Sequence, residues 1–170
     1  MAKVRKNLYV RGLSGGIGDL VLRQMPNGET YISSKPDFSR RKFSREQKQH
    51  QSRFQQAAAY ARRAAKSEPI YAQMAAGTVL SAYNVALSDW FNPPVIHRIE
   101  RRDGKVSVHA SDNVRVTRVE VRILDEEGQV VEMGDAAQVG TDVWKFGSSA
   151  GGRVVVRVWD LAGNEVVGEG

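Results

Sequence analysis

The side chains best equipped for chemistry in this sequence are cations with aromatic rings among them. Lys3, Arg5, Lys6 and Arg11 come first, then Arg40, Arg41, Lys42, Arg45 and Lys48, then Arg62 and Arg63. Tyr9, Tyr31, Phe38 and Phe43 lie between them. Guanidinium and ammonium groups pair with phosphates or carboxylates, and rings stack on bases, so this composition suits a polyanion or an acidic protein partner. We take Arg40, Arg41, Lys42, Arg45, Lys48, Arg62 and Arg63 as the contact residues, with Tyr31, Phe38 and Phe43 available for stacking. No zinc finger, helix-turn-helix or base-stacking sheet signature accompanies them, which favours a protein partner over nucleic acid.

Motifs for catalysis are missing. Gly12-Leu-Ser-Gly-Gly-Ile-Gly18 lacks the Gly-Lys-Ser/Thr of a phosphate loop, has Val21 where a dinucleotide fingerprint starting at Gly16 needs glycine, and precedes a strand pattern. It reads as a hinge or a close-packing backbone. His50, His97 and His109 fall in three separate elements without metal-ligand spacing, and each has a structural or surface role. The chain has no cysteine, so thiolate metal sites, disulfides and cysteine nucleophiles are excluded. The serines lack a nucleophile elbow or an identifiable base. Hence we expect no enzyme, no cofactor and no small-molecule substrate.

These residues must be carried by two regions of opposite charge. Residues 1–66 hold 15 Lys plus Arg against four acids, whereas residues 67–170 hold the remaining 10 and 15, so +11 is followed by −5. The longest uncharged stretch, Pro69 to Ser88, contains Gln73, Thr78, Ser81 and Asn84 and is too polar to span a bilayer. The basic N-terminus is not followed by an apolar run, so a cytoplasmic site of synthesis is expected, with incorporation into or export with a larger assembly.

Local patterns predict the elements. Pro26-Asn-Gly28 joins two β-prone runs, Gly18 to Met25 and Glu29 to Ser34, into a hairpin. Ser44-Arg-Glu-Gln47 is a capping box that opens a helix, along which Gln47, Gln51, Phe54, Ala58, Ala61 and Ala65 form a stripe. Ser67-Glu-Pro69 starts another helix over Ile70 to Ala76, and a third covers Val79 to Trp90. Phe91-Asn-Pro-Pro94 ends the helical region, because paired prolines cannot continue a helix. Beyond it the period becomes two: Val106 and Val108; Val119, Val121 and Ile123; Trp144 and Phe146; Val154, Val156 and Val158. Turn sequences at 103–104, 111–113, 126–128, 147–152 and 161–164 separate about seven strands, the complement of a small antiparallel sandwich. Residues 1–92 thus form a basic β-hairpin and helical module, and residues 93–170 an all-β sandwich, in an α+β two-domain arrangement.

Ser111-Asp-Asn-Val114, the Val119 to Ile123 strand, and Val154 to Asp160 followed by Leu161-Ala-Gly-Asn164 resemble bacterial immunoglobulin-like or fibronectin-type sandwiches. The resemblance implies a spacer, adhesion or docking role. Gly15-Gly-Ile-Gly-Asp-Leu-Val-Leu-Arg23, Gly28 to Pro36 and Ser44-x-x-Gln47 are similar to uncharacterised bacterial and phage-associated small proteins, which implies a structural part of a phage-like or surface assembly. Within such a sandwich, Asp112, Asp160 and Asn164 could meet at one end and offer oxygens to Ca²⁺, but turn chemistry explains all three and no metal site is assigned. The expectation is a non-enzymatic structural or adaptor protein that self-associates or binds another protein. Nucleic-acid binding through the basic region is the alternative.

Overall fold

The computed structural model describes residues 2–4, 13–25, 27–37, 39 and 42–170, the first three through their backbone alone. Among these residues it has a mixed α/β fold of three helices and three four-stranded antiparallel sheets, and the chain divides into compact units at residues 1–45 and 46–170. The boundary expected between residues 92 and 93 falls inside the second unit, between its last helix and its first strand.

The first unit is built around the anticipated hairpin. Its arms are β3 (Leu20–Gln24) and β4 (Thr30–Ser34), following β1 (Ala2–Val4) and β2 (Gly15–Ile17), in the order β1-β4-β3-β2. Gly28 has φ +79°, the left-handed conformation its turn requires, and the Glu29 amide donates to Asn27 Oδ1 at 3.1 Å. The glycine-rich segment is not a hinge throughout. Gly15, Gly16 and Ile17 pair with Leu22, Val21 and Leu20, because strand hydrogen bonding needs only the backbone these glycines supply.

The helices α1 (Arg45–Ser67), whose first residue closes the first unit, α2 (Pro69–Ala75) and α3 (Ala82–Phe91) follow the predicted breaks. α3 starts later than its apolar pattern suggests. Ser81 caps it by accepting from the Asn84 amide at 3.3 Å, leaving Val79 and Leu80 exposed ahead of it. Alanines on α1 let the helices approach closely: Ala61, Ala64, Tyr71, Val85 and Ala86 form one buried cluster, against which Val114 and Leu161 also pack.

The remaining strands are β5 (Val95–Arg102), β6 (Lys105–Ser111), β7 (Val116–Leu124), β8 (Val130–Asp135), β9 (Ala137–Gln138), β10 (Val143–Gly147), β11 (Arg153–Asp160) and β12 (Glu165–Glu169). They form sheets in the orders β5-β6-β10-β9 and β12-β11-β7-β8. Val106, Val108 and Trp144 of one sheet and Val119, Val121, Ile123, Val154, Val156 and Val158 of the other make a single apolar core. That is the period-two set of the sequence, each residue placed inward by the alternation of strand side chains. β8 escaped this reading, since its Val130, Val131 and Met133 are all exposed and it shows no apolar alternation.

Candidate functional site

Two features of the second unit bear on function: the cationic face of α1 and a cluster of carboxylates where the helices meet the strand termini. On α1, Arg45, Lys48, Arg62, Arg63 and Lys66 fall within an arc of about 100°, because each residue advances about 100° around the helix. The buried Ala57, Ala58, Ala61 and Ala64 occupy the opposite side. These five and Arg53, the sixth cation of α1, which falls about 80° outside the arc, are exposed, and none makes an ion pair among the described residues. The structure thus gathers four of the expected contact residues, Arg45, Lys48, Arg62 and Arg63, on one face of a single helix. Lys42 is exposed ahead of it, and Phe43 is 36% exposed. Arg40, Arg41 and Phe38 lie outside the described residues. Tyr31 sits on β4 with its hydroxyl donating to Glu29 Oε2 at 3.2 Å.

Carboxylates converge at the other feature. Asp89 on α3, Asp112 between β6 and β7, and Asp160 at the end of β11 each place an oxygen within 4.8 Å of the other two. Asp89 is completely buried and Asp160 nearly so. Their outer oxygens are held by donors. Tyr71 donates its hydroxyl to Asp89 Oδ2 at 2.5 Å, and Tyr60 and Tyr71 share a hydroxyl contact of 2.6 Å. Asp112 Oδ2 accepts the amides of Val114 and Arg115, both at 2.8 Å. Asp160 accepts the Asn164 amide on Oδ1 and its side-chain Nδ2 on Oδ2, both at 2.7 Å, and that same Nδ2 reaches the Asp89 carbonyl at 3.2 Å. Asp89 Oδ1 and Asp112 Oδ1 are buried without a partner.

The electrostatic consequence is large. Burial pushes the Asp89 carboxyl up to about 7, the Tyr71 hydroxyl pulls it back, and the charges of Asp112 and Asp160 push it further up. Burial likewise raises Asp160, against its bonds from Asn164. Tyr71 is pushed far above the ordinary phenol range, first by burial and then by its bond to Asp89, so it remains a donor. No lysine or arginine side chain pairs with any of the three acids among the described residues.

Asp112, Asp160 and Asn164 do meet, but Asp89 escaped the sequence reading. A signal existed: Asp89 follows Val85 and Ala86 at spacings of four and three, so an acid occupies the buried stripe of a helix. Asp160 continues the inward alternation of Val154, Val156 and Val158 in the same way. Of the histidines, His50 is exposed on α1, and His97 contacts Ser111 Oγ at 2.6 Å across β5 and β6. No helix among the described residues is long and apolar enough to cross a membrane. Comparison of the chain with protein-family models, curated proteins and solved structures finds no match.

Proposed function

We propose that this chain is a non-enzymatic structural or adaptor protein, whose basic N-terminal region anchors or oligomerises and whose two-sheet body, read as an immunoglobulin-like sandwich, binds protein. The supporting observation is the exposed cationic face of α1, which extends about 30 Å from Arg45 to Lys66 at ~1.5 Å per residue. Residues 45–56 of that helix are exposed on every side. Phe54 stacks on Phe91 of α3 at 6.4 Å between ring centroids, but no residue of this stretch is buried, and docking onto a partner would stabilise it. The body offers a complementary surface in the β7–β8 turn, where Glu126 and Glu127 are exposed beside Asp125. Head-to-tail association, with the Arg40 to Lys48 region of one copy against the Asp125 to Glu127 turn of the next, satisfies both charges. Such a contact suits repetitive assemblies of the phage-like or surface kind.

The test is light-scattering mass after size-exclusion chromatography at low and high salt, with the 260/280 nm absorbance ratio recorded in the same run. A defined oligomer, free of nucleic acid, that dissociates at high salt and in the K42E/R45E/K48E variant supports the reading. The same stripe also matches a phosphate backbone. A monomer that carries nucleic acid at low salt and sheds it at high salt replaces the adaptor reading with nucleic-acid binding.

A further inference from the structure

Two buried carboxyls beside the half-buried Asp112, with no lysine or arginine pairing with them among the described residues, are costly to charge, and their arrangement points to what would relieve the cost. Each acid is oriented from outside by hydroxyl, amide or side-chain donors, as outer-shell groups orient metal ligands. The two oxygens lacking donors, Asp89 Oδ1 and Asp112 Oδ1, are buried, and Asp89 as a whole is 0% exposed. Asp89 and Asp112 also lie within hydrogen-bonding reach of each other, so a positive charge must bridge them, a shared proton or a cation, and the third acid beside them favours the cation.

We propose that Asp89, Asp112 and Asp160 form a Ca²⁺ site that ties α3 to the β6–β7 and β11–β12 turns. Separations within 4.8 Å suit ligands on a shell of about 2.3–2.6 Å radius, across which opposite oxygens lie up to about 5 Å apart. The donor set is oxygen only, which selects a hard cation over zinc or copper. Ca²⁺ tolerates irregular geometry from three separate elements, whereas Mg²⁺ demands a near-ideal octahedron and retains its water. Asp112 also lines a surface cleft of about 280 Å³, shared with Val114, Arg115, Gln138, Thr141 and Asp142, so this side of the cluster lies near solvent. Tyr60 and Tyr71 lie on the helical side and remain neutral donors, so they leave the acidic charge to the ion.

The experiment uses the full chain stripped with chelator, then titrated with CaCl₂ by calorimetry and with Tb³⁺ by luminescence excited through the nearby tyrosines. Saturable binding of one ion per chain is expected, with the melting temperature rising about 10 °C at a hundredfold excess over Kd. Asp112→Asn keeps an oxygen acceptor for the Val114 and Arg115 amides, so the fold persists while Ca²⁺ affinity falls at least tenfold. Absence of heat and of sensitised Tb³⁺ emission in the unaltered chain up to ~10 mM Ca²⁺ overturns the proposal, since even the weakest extracellular sites bind below that level. So does an equal thermal shift with Mg²⁺, or unchanged Ca²⁺ affinity in a folded Asp112→Asn chain.

Discussion

Replacing Asp89 with asparagine isolates the cost of burying its charge. In chelator-treated protein the Asp89 carboxyl titrates at about 7 instead of its ordinary 3.8. Between those values the native state holds a proton that the unfolded chain has released, so stability falls as pH rises through this window and levels off above 7. At ~1.4 kcal/mol per pH unit the loss is on the order of 4 kcal/mol, and Asp160, also raised, acts in the same direction. Asp89→Asn cannot titrate. Its amide oxygen still accepts from Tyr71, as the protonated carboxyl does, so the variant keeps the stability that the parent has before Asp89 ionises. At pH 8 the variant should therefore be more stable than the parent by on the order of 4 kcal/mol, and at pH 5 by only about 1.5 kcal/mol. Guanidinium unfolding in chelator at pH 5 to 8 measures this. All three tryptophans, Trp90, Trp144 and Trp159, lie in the second unit, so their fluorescence reports on the unit that contains the site. Parallel pH slopes for variant and parent, or a variant less stable at pH 8, would refute the reasoning.

Other perturbations test the two-sheet body. Gly152 has φ +131°, and an added Cβ would come within 2.1 Å of the Leu124 carbonyl oxygen, so Gly152→Ala should cost on the order of 3 kcal/mol or more in thermal unfolding. Gly163, at φ +87° in open space, should lose only about 1–2 kcal/mol as alanine; equal losses at the two positions would show that the close approach contributes nothing. Glu120 is 6% exposed and accepts from Arg118 Nη2 at 2.9 Å and Arg122 Nε at 2.6 Å. Because both arginines are partly solvated, Glu120→Ala should cost about 1–3 kcal/mol, less in molar salt, as denaturant midpoints would register.

Most elements were legible because their causes are local. The capping sequence before Arg45, the break at Pro69, the Asn27-Gly28 turn and the alternating valines each act over a few residues, and the structure has elements where these signals fall. Elements whose cause lies in a neighbour were not. β2 forms because β3 offers it a ladder, and β8 because β7 does, although neither has an apolar alternation of its own. The cationic residues of α1 could be named from the sequence, and helical geometry alone puts all but Arg53 on one face.

The carboxylate cluster divides differently between sequence and structure. Asp112 and Asn164 stand in turn sequences and Asp160 is the last residue of β11 before one, so their placement at strand termini follows from local preference for Asp and Asn where the chain reverses. Asp89 joins them only because α3 docks through Val85 and Ala86, bringing it to an Asn164 that lies 75 residues further along the chain. Local propensity therefore determined which acids reside in turns. Packing alone decided that a helical acid completes the cluster and that its charge is removed from water, because desolvation and charge repulsion depend on distances in space.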